Sequence, residues 1–541
     1  MRTLIINLTR FGDLLQTQPV LAGLAAKGAR PGLACLSHFS AAAELLRHVD
    51  YVTAFPDADL LRDLDAHWGK SLSRLEAWRD EVRHDFDPNC IVNLTATLSS
   101  RLLARLLTPE NGELVGFGVD NFGFGQNDQP WTAFLQASTR KRGCSPYNLA
   151  DVFRKVAAVD HITPEYKLNA PGAETRAEVR AVLDEALASL TGINAESPCR
   201  GLVAFQLGAS DDRRRWPTAH FARLGAILWQ KCGYVPLLLG AKSERHLAER
   251  FAQNAKGPFI DLIGGTNLPG LAAALLESKL LVTNDTGTMH LAAGLNVPVL
   301  AIFLATAQPW DTGPYQENMC CLEPDLPCHP CPFDGKCDFE HKCRQHITPE
   351  AVFSLAARRL ERGEWAWTEK TSPARIWLTM RNPKEQDPAQ FLDLKSLSGH
   401  EGEDRTKWLR LQRLLIGQFL DQGHELTGAP VAAGAANFRL SPELRDALAS
   451  ETAAAVGLLH LLQEQGRTLL QRPLPPLKNK FLGTWQRLQT LWDTSNYFNM
   501  LGFLWLCETQ TLGDDFKAVL ALAGQYRTLL ETWRELLVES A

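Results

Sequence analysis

The sequence predicts an α/β protein built from two doubly wound parallel sheets in tandem, followed by an all-α C-terminal unit. Three observations predict it. Short apolar runs alternate with helical patterns twice over, a breaker separates the two series, and the strand signal fades beyond Gly363. At 541 residues the chain is also too long for one hydrophobic core.

In the first series, Arg2 to Leu8, Gly32 to Ser37, Val49 to Phe55 and Cys90 to Leu94 read as strands. Asp13 to Ala26 reads as a helix with Pro19 at an awkward point, and Arg62 to Arg83 has the spacing of another. Gly116 to Pro130 is rich in Gly, Asn and aromatic residues and reads as a mobile segment or surface loop ahead of the basic knot Arg140, Lys141 and Arg142. Ser197-Pro198 marks the boundary. Leu202 to Leu207, Val235 to Leu239, Phe259 to Leu262, Leu280 to Thr283 and Val297 to Phe303 then form the second series. The units expected are 1–195, 196–363 and 364–541, the last helical, with Pro-containing breaks at Gly428 to Pro430 and Arg472 to Pro476. Its Trp485, Trp492, Tyr497 and Trp505 read as core rather than as a carbohydrate platform.

Bulk composition narrows the function classes. Hydrophobic content of 45% with 22% charged residues is ordinary for a globular chain. The apolar run Pro298 to Ala305 is too short for a bilayer, which takes roughly 20 residues, and the N-terminal Leu4 to Leu8 is too short for a signal-peptide core. We therefore expect a cytoplasmic protein with at most peripheral contact at the inner face of the inner membrane. A formal net charge of −5 gives no general pull toward nucleic acid, so an anionic ligand must be held by local groups.

The densest local signal is Leu280 to Leu295. A buried strand ends at Asn284, and Asp285, Thr286, Gly287 and Thr288 form the turn into a helix that carries His290. Free amides at that helix start, with the two hydroxyls beside them, suit a diphosphate, and a plain N-cap is the alternative. Gln206 to Ser210 closes another strand of the same sheet and runs into Asp211 to Pro217, where Arg214 could neutralise a leaving diphosphate. Gly240 to Glu244 ends a third strand, and Glu244 suits a ribose diol or the start of a helix. At the first strand's end, Arg10-Phe11-Gly12-Asp13 offers Asp13 as a base reaching across the cleft or as a helix cap.

Together, Ile5 to Leu15, Gly208 to Pro217 and Asn284 to Ala293 resemble the ADP-heptose:lipopolysaccharide heptosyltransferases over residues 1 to 362. The resemblance implies the GT-B fold, two Rossmann-like domains facing a cleft, with the helix Pro349 to Arg362 leaning back on the first. It implies Asp13 and Arg214 as catalytic groups, the first deprotonating an acceptor hydroxyl. It implies Ser210, Arg214 and Thr286 to Thr288 as phosphate ligands, Glu244 on the ribose, and Asp285 and His290 in the sugar-nucleotide pocket. Arg10, Arg140, Lys141 and Arg142 are candidates for holding the acceptor. Arg214 stands where the family usually has Lys, and Ala209 where a hydroxyl residue is common. The implied reaction is an inverting displacement in which a heptose or related sugar, with ADP-heptose as donor, passes to a hydroxyl of a lipopolysaccharide core or related glycan. No catalytic metal is expected. The Asp57-Ala58-Asp59 pair reads as a solvated turn.

Cys328, Cys331, Cys337 and Cys343 crowd one Pro- and Gly-containing loop, a spacing that closes around one tetrahedral ion, zinc generically or iron. Free thiols are the alternative; His329, His341, Cys320 and Cys321 are reserve ligands read as bystanders. A similar cysteine finger occurs in the autotransporter heptosyltransferases, whose acceptors are proteins, so a protein acceptor is the rival within the same class. A catalytically silent nucleotide-sugar-binding or assembly protein, homo-oligomeric or not, is the rival from another class. A dinucleotide oxidoreductase is disfavoured, since neither first-strand turn carries Gly-x-Gly-x-x-Gly.

Overall fold

A computed structural model describes residues 1–140, 145–190, 198–332, 335–369, 371–381, 390–424 and 439–539. The chain divides into two compact units. One comprises Met1–Val119 with Tyr147–Gly399, and the other Asp120–Pro146 with His400–Ala541.

In the first unit, β1 (Arg2–Ile6), β2 (Arg30–Leu36), β3 (Tyr51–Phe55), β4 (Cys90–Asn93) and β5 (Glu113–Val119) pair in parallel in the order β3-β2-β1-β4-β5. Helices cover both faces of a parallel sheet, so its strands bury consecutive residues, and Leu4, Ile5 and Ile6 are fully buried. The expected helix from Asp13 to Ala26 is two helices, Phe11–Leu15 and Gln18–Ala26. Pro19 sits in the first turn of the second, where its missing N–H costs nothing. Gly116 to Val119, expected as loop, completes β5.

β6 (Gly125–Asn127) belongs to the second unit. The second sheet of the first unit contains β7 (Gly201–Gln206), β8 (Tyr234–Leu239), β9 (Ile260–Asp261), β10 (Ser278–Asn284), β11 (Val299–Ile302), β12 (Cys320–Pro324), β13 (Ala374–Arg381) and β14 (Leu392–Ser396). Their order is β14-β13-β12-β11-β10-β7-β8-β9, with β7 to β12 parallel and the last two antiparallel. Strand order reverses between β1 and β4 in one sheet and between β7 and β10 in the other, and crevices open at the carboxyl ends of strands at such points.

Two sequence expectations change here. Strand structure continues past Gly363, because β13 and β14 extend the second sheet, so the helical unit begins at His400 rather than at 364. β13 interrupts its apolar residues with Arg375 and Thr379, which hid the pattern of a strand whose Ile376 and Trp377 are fully buried. The helix Pro349–Arg362 packs on the second sheet's own core: Val352, Leu355 and Ala356 share one cluster with Leu224 and Leu228 of the helix Thr218–Cys232.

In the second unit, helices Asp404–Asp421, Pro442–Gln471, Pro475–Thr494, Asn499–Leu512 and Phe516–Glu539 surround Trp492, Trp505, Tyr526 and Trp533, all buried. Trp485 and Tyr497 are half-buried, so the four aromatic residues singled out above belong to or border this core. The helix Pro130–Arg140 joins it through Trp131, whose Nε1 donates to Asp421 Oδ1 at 2.7 Å. The Gly428 to Pro430 break lies outside the described residues. Among the described residues, no helix is long and apolar enough to cross a membrane.

Candidate functional site

At the end of β10 the chain leaves an apolar strand on Asn284, which is fully buried. Its Nδ2 donates to the carbonyls of Leu207 at 3.0 Å and Gly208 at 3.1 Å, and its Oδ1 accepts from Trp216 N at 2.8 Å. One side chain thereby fixes both ends of the Gly208 to Trp216 loop against the β10 turn. That loop carries Arg214, buried, whose guanidinium forms an ion pair with the equally buried Asp285. A second arm of the same fork reaches Ser210 Oγ at 3.4 Å. A lysine has no planar fork with which to span both groups in this way. The neighbouring Arg213 is held by Asp211 at 2.7 Å and by the Gly335 carbonyl, so it faces the cysteine loop instead.

The helix Gly287–Gly294 starts at Thr286, which is extended and whose hydroxyl makes no capping bond. That hydroxyl lies 3.2 Å from Thr283 Oγ1. The Thr288 hydroxyl donates to Gln206 Oε1 at 3.1 Å. Gln206 Nε2 donates in turn to Glu244 Oε2 at 3.1 Å, and the same oxygen accepts from Ala241 N at 2.8 Å. The carboxylate lies in a notch between two glycines. A Cβ on Gly208 would overlap Glu244 Oε1, and one on Gly240 would lie 2.5 Å from Oε2.

Against this turn lies the β1 turn of the other sheet. A Cβ on Gly12 would stand 3.0 Å from His290 Cδ2 and 3.2 Å from Gly287 Cα, and a Cβ on Gly287 would collide with the Phe11 ring. Only glycines at both positions allow so close an approach. Asp13 follows directly, half-buried, in the first turn of Phe11–Leu15; Arg10, not Asp13, occupies the N-cap position and is exposed. His290 is buried, and its carbonyl accepts from Tyr166 at 3.0 Å. Burial pushes the Tyr166 hydroxyl's pKa up, which keeps it a neutral donor.

The Gly12-Asp13 turn of one sheet thus meets the Gly287 and His290 turn of the other, where Asp285 holds Arg214 and Thr288 is linked through Gln206 to Glu244. Gln206 and Asn284 escaped selection as site residues. Each is a polar residue ending an otherwise apolar buried strand, and that was the available signal. Lys141 and Arg142 lie outside the described residues, and the helix that ends at Arg140 belongs to the other unit. Asp57 and Asp59 open a helix, where Asp57 accepts from Ser37 Oγ at 2.8 Å and Asp59 pairs with Arg62 at 2.7 Å.

Cys328, Cys331, Cys337 and Cys343 line one cavity of about 370 Å³. The His341 amide donates to Cys337 Sγ at 3.3 Å. Among the described residues, no three of these sulphurs come within 4.8 Å of one another. Cys320 and Cys321 are buried within β12, and His329 is engaged with the buried Glu323 at 3.1 Å.

Residues 133–342 match the profile of Glycosyltransferase family 9 (heptosyltransferase). Over this segment, about two fifths of its length, the chain is similar to that family. Lipopolysaccharide heptosyltransferase 1 of Pseudomonas aeruginosa is 33% identical over 129 residues, 24% of this chain and 36% of that protein. Lipooligosaccharide heptosyltransferase 2 of Campylobacter jejuni is 32% identical over 167 residues, 30% of this chain and 51% of that protein. The chain spans about a third to a half of the length of these curated relatives. Among solved structures, ADP-heptose lps heptosyltransferase II of E. coli aligns over 67% of this chain and 99% of its own at 16% identity, with a TM-score of 0.47.

Proposed function

We propose that this chain is an inverting glycosyltransferase of GT-B architecture. It transfers a heptose or related sugar from a nucleotide-diphosphate sugar, with ADP-heptose as donor, to a hydroxyl of a lipopolysaccharide core or related glycan. The observation that carries this reading is the contact of Gly12 with Gly287 and His290, which brings the Asp13 turn of one sheet to the Thr286 turn and Arg214 of the other. The curated relatives that match are named as heptosyltransferases, which agrees with it.

In this mechanism the acceptor hydroxyl loses its proton to Asp13 as its oxygen attacks the anomeric carbon. The bond to the nucleoside diphosphate breaks on the opposite face. Arg214 and the first-turn amides of Gly287–Gly294 take up the charge that grows on the departing phosphate. Asp285 fixes the guanidinium plane, and Glu244 takes the ribose diol. Asp13→Asn is expected to lower transfer by about 10²–10⁴-fold while leaving donor affinity in calorimetry intact. Full turnover by that variant would reject Asp13 as the base. A wild-type chain that binds a sugar nucleotide but transfers nothing to any acceptor supports the catalytically silent reading instead.

A second reading keeps the chemistry and changes the acceptor to a protein. Its support is the likeness of the four-cysteine loop to the finger of the autotransporter heptosyltransferases, whose acceptors are proteins. Thiols fit a structural zinc or iron ion in donor chemistry, and the amide on Cys337 Sγ is of the kind that stabilises a thiolate. Cys328, Cys331, Cys337 and Cys343 would hold the ion, which would cross-link the loop and take no part in transfer. Metal analysis of the purified chain and of Cys331→Ser tests the site. Transfer assays with glycan and protein acceptors separate the two readings. We place the reaction in the cytoplasm, at the inner face of the inner membrane where a lipid-linked acceptor would lie.

A further inference from the structure

We infer that Gln206 is a positioning residue that couples the two ends of the donor site, and that Thr288 acts through Gln206 rather than by donating its hydroxyl proton to the diphosphate. This deepens the donor site proposed above and rests on that reading.

The orientation of the Gln206 amide follows from chemistry. Glu244 Oε2 can only accept, so the Gln206 NH₂ must face it, and the Gln206 carbonyl then faces Thr288. Thr288 has one hydroxyl proton, and this carbonyl takes it. A diphosphate oxygen is also an acceptor, so the Thr288 oxygen has only lone pairs left to show it. The same bookkeeping applies to Thr286. Thr283 Oγ1 gives its proton to the Asn284 carbonyl at 2.7 Å, which makes Thr286 the donor in the 3.2 Å contact with Thr283. Of the three hydroxyls named for the anion only that of Ser210, which accepts from Arg214, keeps its proton, so the anion's donors are backbone amides, Arg214 and Ser210.

At the other end, Glu244 Oε2 is saturated by Ala241 N–H and Gln206, whereas none of the described residues donates to Oε1. Oε1 sits over Gly208, where no side chain can displace it. The relay from Thr288 through Gln206 to Glu244 spans the ends of β10, β7 and β8, with Gln206 and Thr288 both buried, so it presents a single fixed acceptor to a ribose diol. Thr288 serves the ribose end of the ligand through its side chain and the phosphate end through its backbone.

The test is calorimetric titration of the full chain with whichever of ADP, GDP and UDP binds the wild type best, and with its 2′,3′-dideoxy form. Gln206→Leu and Thr288→Val are each expected to weaken the natural nucleotide about five- to tenfold, the usual net worth of one hydrogen bond, and Thr288→Ser to stay within about twofold of wild type. The double variant should bind no more weakly than Gln206→Leu alone, because both changes cut one chain. For the dideoxy nucleotide, either loss should shrink below about twofold.

Additive losses would overturn the inference. So would a Thr288→Val loss equal for both nucleotides, as a direct phosphate donor requires. If Gln206→Leu proves unfolded by its melting curve, Thr288→Val against Thr288→Ser with the two nucleotides still decides. A wild-type chain that binds none of the three nucleotides would overturn the donor-site reading itself.

Discussion

Replacing Arg214 with Met tests whether the buried ion pair with Asp285 holds the site together or serves only the ligand. Both side chains are more than nine-tenths buried, so removing the cation strands a carboxylate where water cannot reach it. Breaking such a pair from one side costs about 3–5 kcal/mol of stability. Adding Asp285→Asn removes the stranded charge, so the double variant should recover most of that deficit and lie within about 1–2 kcal/mol of wild type. Nucleotide affinity should not recover. Losing a charge-assisted bond to the diphosphate is worth about 1.5–3 kcal/mol, or roughly 10- to 150-fold in Kd, in the single and the double variant alike. Urea unfolding followed by circular dichroism gives the first quantity and calorimetry the second. A single variant as stable as wild type, or a double variant no more stable than the single, would refute the argument.

Asn284→Ala removes the clamp on the Gly208 to Trp216 loop and leaves the buried Trp216 N–H without its acceptor, so a loss of about 2–4 kcal/mol is expected in the same urea assay. Gly287→Ala should leave the melting temperature of the sheets within a few degrees of wild type. It should cut turnover by about tenfold or more, because the added methyl forces the Phe11 turn away; steady-state kinetics of transfer checks it. Asp211 is held below the usual carboxylate range, first by the hydrogen bond from Arg213, against opposing burial. Its contribution is therefore present above the ordinary carboxylate pKa of about 3.9 and disappears as pH falls through the lowered value. Asp211→Asn should lower the melting temperature at pH 7 and leave it nearly unchanged near pH 2.

Much of this was legible in the sequence because parallel strands announce themselves. Buried on both faces, β1, β10 and β11 carry the apolar runs Leu4–Ile6, Leu280–Val282 and Val299–Ile302, which locate the strand ends where Asp13 and Asp285 to Thr288 follow. The antiparallel strands β13 and β14 mix polar and apolar residues, and that weaker pattern put the start of the helical unit some 36 residues too early (400 against 364). Pairwise chemistry was harder still. Nothing in the spelling of Gln206 or Asn284 says that one amide bridges Thr288 and Glu244, or that the other ties two loops together. Those facts depend on strand order, which places β7 between β10 and β8.

The assignment of Asp120–Pro146 to the same unit as His400–Ala541 has a consequence in time. The helix Pro130–Arg140 leaves the ribosome about 260 residues before the first of the helices it packs with, Asp404–Asp421. At 5–20 residues per second, that is a wait of roughly 10–50 s. During that interval Trp131, Phe134 and Leu135, all buried in the finished protein, have no helical partners to cover them. A chain trimmed of its C-terminal helices would therefore leave that apolar face uncovered.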